Sequence, residues 1–181
     1  MAPRVELQLG FVGGLDWAPN ESGLRWFVEE ALPTIVAAIP EATLAVLARG
    51  AWKRAWIASN PRIRVMPEGT HAVSIFASSR VTIAPLLHGG GVRVKILESL
   101  AAGCPVVATS IGGEGLELAG LTKVDGAASF AQACIRHLRE APSRDTRERL
   151  YREVATKHAA ESVARNLMEY WVSVDARHFP K

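Results

Sequence analysis

The stretch Val81–Thr109, VTIAPLLHGGGVRVKILESLAAGCPVVAT, decides the fold. It reads as a buried strand, a triple-glycine loop, an amphipathic helix over about Val92 to Ala102, and a second buried strand. That order is a parallel β-α-β crossover with a phosphate-sized opening at its centre. Gly89, Gly90 and Gly91 carry no Cβ, so the backbone can take φ > 0 and a ligand can approach the main chain closely. The helix behind them offers unpaired first-turn N–H groups and the positive end of its dipole to an anion. Arg93 and Lys95 sit in that first turn, where the dipole favours acids, so two cations there imply a bound negative charge.

Glu98 lies one turn after Val94 and Lys95, while Ile96, Leu97 and Leu100 point to the other side, against the sheet. A carboxylate near the loop can accept from two hydroxyls at once, which suits a vicinal diol such as a ribose. Read individually, these residues also fit a plainer picture: a glycine turn made for packing, and Lys95 with Glu98 as an i,i+3 surface ion pair. Their combination at this spacing points to a nucleoside diphosphate.

The same residues resemble the signature of the GT-B group 1 glycosyltransferases (family four), written P-L-x-x-G-x-G-x-x-x-K-I-L-E-x-x-A-x-G-x-P-V-V-A-T. Pro85, Leu86, Gly89, Gly91, Lys95, Ile96, Leu97, Glu98, Ala101, Gly103, Pro105, Val106, Val107, Ala108 and Thr109 all match it. The resemblance implies an α/β fold, a Rossmann-like three-layer domain with a parallel sheet of about six strands, one half of a GT-B enzyme. That half is the C-terminal domain, which holds the nucleotide sugar, with Glu98 on the ribose hydroxyls. The reaction implied is transfer of a sugar from a nucleoside-diphosphate sugar to an acceptor, with retention of configuration, no divalent metal, and no cofactor besides that substrate. The chain lacks an Asp-x-Asp or a carboxylate cluster near the loop, in keeping with this. Many relatives carry a further Glu eight residues before the one matching Glu98, near the donor sugar; here that position is Gly90, so no catalytic side chain is assigned.

Working outward toward the N-terminus, Val5 to Val12 reads as the first strand, with Gly13-Gly14 as its exit. Asn20 is placed to cap the next helix, whose apolar residues Leu24, Phe27, Val28, Ala31, Leu32 and Ile35 recur at helical spacing. Pro33 falls inside that pattern and should kink it or begin a new turn. The segment F-V-G-G-L-D-W-A-P-N-x-x-G-L-x-W-F resembles the opening of the family's C-terminal domain. The family's usual opening has an arginine and a lysine that grip the diphosphate; here Gly14 and the uncharged Pro19-Asn20 occupy the region. By elimination the clamp falls to Arg93, Lys95 and the backbone N–H groups of Gly14 and Gly90.

Thr43 to Leu47 and Ile63 to Met66 read as strands. Between them Trp52 and Trp56, with Lys53 and Arg54, could stack on a base or sugar or could pack the surface. Thr70 can cap the helix after the turn. The resemblance lays the loop Met66, Pro67 and Gly69 along the nucleobase, as a base platform. His88 can donate to a phosphate or stand solvated in its loop. After Thr109, the resembling enzymes carry a similar G-x-E-G-L turn, here with Gly113 and Glu114, whose backbone can contact the donor. Leu121 to Val124 reads as a last strand, and a helix with Phe130, Ala133, Cys134, His137 and Leu138 on one face follows. Pro142-Ser143 breaks and recaps it, a charged helix runs from about Asp145 to His158, and a final helix carries Val163, Leu167, Met168, Tyr170 and Trp171.

A length of 181 residues with 49% hydrophobic and 22% charged residues allows one globular domain, 1–181, with its C-terminal helices at about 144–175. A second full domain would not fit, so an N-terminal acceptor domain is the partner expected beyond the nucleotide sugar. A net charge of +3 and a pI near 9.1 call for no nucleic acid, and an anionic small molecule suffices. Cys104 and Cys134 form neither a disulfide framework nor a metal spacing. No apolar run reaches a membrane span and MAPRVELQLG lacks a signal-peptide core, so membrane contact is not indicated and a cytoplasmic protein is expected. Two other classes stand beside the transferase. A dehydrogenase would need Gly-x-Gly-x-x-Gly after the first strand, which Gly10 with Gly13-Gly14 fits badly. A non-catalytic nucleotide-sugar-binding or assembly domain would share every binding feature.

Overall fold

The computed structural model of the chain describes residues 7–91 and 93–159, together with Glu161 and Met168. Short apolar runs form parallel strands, the four central ones buried on both faces, as expected of a sheet covered by helices on both sides. The strands are β1 (Gln8–Val12), β2 (Thr43–Leu47), β3 (Ile63–Val65), β4 (Val81–Ala84), β5 (Val106–Ala108) and β6 (Leu121–Lys123). They lie in the order β3-β2-β1-β4-β5-β6, with every neighbouring pair parallel. The register pairs Gly10 with Thr82 between β1 and β4, and Thr82 with Val106 between β4 and β5.

The helices are α1 (Ala18–Trp26), α2 (Leu32–Ala38), α3 (Ala55–Ala58), α4 (Ala72–Ser78), α5 (Val94–Ala101), α6 (Ala127–Arg139) and α7 (Arg144–His158). The larger core gathers β1, β2 and α6 around Leu9, Phe11, Leu24, Phe27, Leu44 and Phe130. Phe130 receives the edges of Trp26 and Phe27 at centroid distances of 5.5 and 5.7 Å. A smaller cluster packs Ile96, Leu100 and Leu150 against Ala84, Val106 and Ala108. Thr82 and Ser99, both buried, join α5 to β4 by a 2.6 Å hydrogen bond between their hydroxyls.

Pro33 acts as its sequence position predicts. Between α1 and α2 the residues Phe27–Ala31 form a π-helical turn, and Leu32 N–H reaches back to the Phe27 carbonyl. The wider turn lets α2 begin with Pro33 in its first turn, where the missing N–H costs no hydrogen bond. Ser143 caps α7 as expected, its hydroxyl accepting from Thr146 N–H at 3.1 Å.

Two capping expectations are corrected. Trp17, not Asn20, stands at the start of α1, and Asn20 is buried inside the first turn. His71, not Thr70, precedes α4, and no side chain caps it. Of the final helix, Val163, Leu167, Tyr170 and Trp171 lie outside the described residues. Among the described residues no helix is long and apolar enough to cross a membrane.

The strand order reverses between β1 and β4. Chains leaving the C-terminal ends of these two strands turn to opposite sides, opening the crevice in which ligands of open α/β sheets bind. Residues 13–17 form one wall, and residues 85–91 with Arg93 the other.

Candidate functional site: the crevice between the β1 and β4 exits

The wall after β4 is the triple-glycine loop. Gly89 (φ 102°) and Gly91 (φ 95°) occupy the left-handed region that side chains rarely adopt, so glycine is required at both by conformation. Gly89 also lies under Trp17, whose ring carbon Cζ2 would stand 3.3 Å from a Cβ there. Trp17 thus closes the loop from the β1 side while remaining 41% exposed.

Arg93 does not point out of this loop. Its guanidinium is buried under the loop, with Nη1 donating to Gly90 O at 2.6 Å and Nη2 to Gly89 O at 3.0 Å. It lies 5.7 Å from the centre of the Trp17 ring, a cation–π distance. Arg93 sits just before α5 and not inside its first turn, since the helix begins at Val94. The loop carbonyls are therefore tied back into the protein. The amides of Gly89, Gly90 and Gly91 have no hydrogen-bond partner among the described residues, and all of these glycines are exposed.

The wall after β1 repeats the pattern. Gly14 O accepts from Asn20 Nδ2 at 3.0 Å, while Gly14 N–H is unpaired among the described residues. Neighbouring charges are consumed locally: Arg49 pairs with Asp16 at 2.6 Å, and Arg54 grips Glu21 with two 2.8 Å hydrogen bonds and Leu15 O with a third. That Arg54 contact holds the Glu21 carboxyl below its ordinary range. The basic segment after β2 is thus a brace for the β1 wall. Trp56 stacks under Arg25, 5.0 Å from its ring centre, in the packing role, and Trp52 stays exposed beneath Lys53.

Lys95 links the two walls. From the first turn of α5 its Nζ crosses to Asn20 Oδ1 at 2.7 Å and stands 5.0 Å from the centre of the Phe11 ring. Burial, and secondarily the charge of Arg93, push its pKa down to about 8. No carboxylate pairs with it among the described residues. The i,i+3 ion pair with Glu98 does not form: Glu98 is exposed, and its carboxylate makes no hydrogen bond or ion pair among the described residues. The start of α5 has no side-chain cap and no acid in its first turn.

The remaining expected positions lie on the same edge with different degrees of access. Met66 is half-buried after β3, and Pro67 and Gly69 are exposed. His88 meets Ser22 of α1, with 3.0 Å between Nε2 and Oγ, which ties the glycine loop to the opposite wall. Gly113 is buried against Lys123 and spends its N–H on Thr109 O at 2.9 Å, whereas Glu114 is exposed. Thr109 holds the β5 exit against the β4 exit, its hydroxyl donating to Leu86 O and accepting from Gly112 N–H.

Sequence reading missed Trp17 and the true place of Asn20. Pro19 carried the signal for the latter: proline favours the first turn of a helix, which puts the helix start before it and Asn20 inside. Nothing in the sequence announces Trp17, because its role comes from contact with a loop more than seventy residues away.

The parallel sheet with helices on both faces is a Rossmann-like α/β domain of the GT-B type. The chain belongs to the glycosyl transferases group 1 family, whose model matches residues 6–140. A curated relative, an uncharacterized 44.6 kDa protein in the cps region of Klebsiella pneumoniae, is 28% identical over 114 residues, covering 58% of this chain and 29% of the relative. Among solved structures, a mutant of S. aureus TarM in complex with fondaparinux, alpha-GlcNAc-glycerol and UDP superposes with a TM-score of 0.66 at 13% identity, covering 94% of this chain and 36% of TarM. Anabaena HepE in complex with UDP-glucose gives 0.66 at 15% identity, covering 93% and 49%. The C-terminal domain of LpcC, a glycosyl transferase group 1 family protein from Francisella tularensis, gives 0.60 at 16% identity, covering 86% of this chain and 87% of that domain. The chain thus spans about a third of the curated relative and of TarM, and nearly all of a C-terminal domain.

Proposed function

We propose that these residues form the donor-binding half of a retaining, metal-independent hexosyltransferase, which takes a sugar from a nucleoside-diphosphate sugar. One observation carries the reading: among the described residues the amides of Gly14, Gly89, Gly90 and Gly91 have no partner at the sheet's switch point, while the carbonyls of Gly14, Gly89 and Gly90 are tied back. Main-chain donors so arranged are a pyrophosphate cradle. The open start of α5 and the buried Lys95 ammonium add positive charge to it.

In this reading the base lies along Met66, Pro67 and Gly69, the ribose hydroxyls bind Glu98, and the diphosphate sits over the glycine loop. His88 and the Gly113-Glu114 turn border the donor. Breaking the sugar–phosphate bond leaves negative charge on the departing diphosphate. Donors already aimed at that charge lower the barrier without reorganising. Lys95 and the amides supply the neutralising charge that a divalent ion provides in other phosphate chemistry. Retention of configuration and a hexose donor belong to this proposal and are what the likeness of the Pro85–Thr109 signature to the family implies. The acceptor would be held by a second domain outside these residues, as the greater length of TarM and HepE suggests, and without it the chain would bind donor but not turn over. The buried thiol of Cys134 fits a cytoplasmic setting.

Thermal unfolding against UDP, GDP, ADP, TDP and NAD tests the reading. At about a hundred times its dissociation constant a ligand adds ~2.7 kcal/mol of stability. A nucleoside diphosphate should raise the midpoint and NAD should not. A rise with NAD alone, or with none of them, contradicts it.

A further inference from the structure

Asn20 makes two hydrogen bonds that a helix residue does not need for its own sake. Its Nδ2 donates to Gly14 O at 3.0 Å and its Oδ1 accepts from Lys95 Nζ at 2.7 Å. The two partners fix the amide's orientation, because an ammonium can only donate and a carbonyl can only accept. Gly13 makes room for the arrangement: a Cβ there would lie 2.8 Å from Asn20 Nδ2 and 3.2 Å from Lys95 Nζ. The side chain is buried, and α1 is fixed against the other wall by the contact of Ser22 with His88.

We propose that Asn20 is a positioning residue for diphosphate binding: it holds the Lys95 ammonium at the mouth of the crevice and turns the Gly14 carbonyl away from it. The inference rests on the diphosphate reading of the site. Its physical basis is the neutrality of the amide. An aspartate of the same length would hold the ammonium as well, yet it would cancel the charge that attracts the anion. An alanine would leave the charge intact but unheld, and the Gly14 carbonyl free to swing into the crevice. Asparagine supplies the acceptor, the donor and no charge. It thereby lets a lysine on α5 serve the loop after β1, where the sequence has no cation of its own between Gly13 and Asn20.

The test compares the wild-type chain, Asn20→Asp, Asn20→Ala and Lys95→Met, with inorganic pyrophosphate as the probe, by calorimetric titration and thermal unfolding. Wild type should bind. Asn20→Asp should weaken binding by about tenfold or more, as cancelling a charge at a desolvated anion site does. Asn20→Ala should weaken it by a smaller factor, although it lowers the unfolding midpoint further than Asn20→Asp does. Affinity and stability then rank the two variants in opposite orders. A merely structural asparagine would rank them alike, and that result overturns the proposal, as does wild-type affinity in Asn20→Asp. If Lys95→Met loses pyrophosphate while Asn20→Asp keeps it, only the role of Asn20 falls. If wild type does not bind pyrophosphate, or Lys95→Met binds it equally well, the diphosphate reading falls with it.

Discussion

Arg93 donates from Nη1 to the carbonyl oxygen of Gly90 at 2.6 Å, so the cation that precedes α5 faces inward, into the backbone of its own loop. Together with the bond to Gly89 O it turns the loop's oxygens away from the crevice and leaves its N–H groups outside. A hydrogen bond from a charged donor contributes about 1.5–3 kcal/mol. Arg93→Met should therefore lower the unfolding free energy by roughly 2 kcal/mol and weaken nucleoside-diphosphate binding in the same variant. Denaturant unfolding with and without ligand checks both. Unchanged stability would mean that the guanidinium does not hold the loop.

Lys95 sets a pH dependence whose sign follows from its depressed pKa. Between about 8 and the ordinary value of 10.5 the unfolded chain binds more protons than the folded one, so this lysine makes stability rise with pH across that window. Below about 8 the ammonium is charged in both states and its burial costs on the order of 3 kcal/mol. Arg93 is the charged neighbour that adds to the depression. Lys95→Met should stabilise the unliganded protein at pH 7 and flatten the rise between pH 8 and 10. Unfolding curves across that range that stay parallel for the two proteins would refute the assignment.

An anion that draws on the charge of Lys95 should also raise its pKa. Binding of a nucleoside diphosphate near pH 8.5 should then take up protons, and affinity should fall as pH climbs past about 8. Calorimetry in buffers of different ionisation enthalpy reads the proton uptake directly. Affinity that is flat from pH 7 to 10 contradicts a role for Lys95 in holding phosphate.

Glu98 is exposed and its carboxylate is without a partner among the described residues, so Glu98→Ala should change unliganded stability by less than about 0.5 kcal/mol. The same variant should lose most of the stabilisation by a nucleoside diphosphate and keep that by inorganic pyrophosphate, which has no ribose. Equal loss with both ligands would place Glu98 on the phosphates, and no loss with either would remove it from the site.

The strands and the crossover are legible because each rests on local pattern: apolar runs for β4 and β5, a glycine loop between them, helical spacing of Ile96 and Leu100. The π-helical turn before Pro33 was foreshadowed for the same reason, since a proline's missing N–H is a local fact. The inner partners of the cations were not legible. Lys95 and Glu98 look like an i,i+3 pair until Phe11, Gly13 and Asn20 are brought in from the first strand and its exit, and only the folded sheet does that. Asn20 looks like a cap because asparagine favours caps, although Pro19 beside it sets the helix start earlier; the bonds of its amide to Gly14 and Lys95 appear only in the folded chain. Trp17 over Gly89 belongs to the same class of fact.

The most direct measurement is an amide nitrogen–proton correlation spectrum of the chain titrated with a nucleoside diphosphate. The resonances of Gly14, Gly89, Gly90 and Gly91 should move together, and those of Gly113, whose N–H is already spent on Thr109, should move little. Shifts confined to other parts of the sheet edge, with these four glycines unmoved, would contradict the diphosphate cradle.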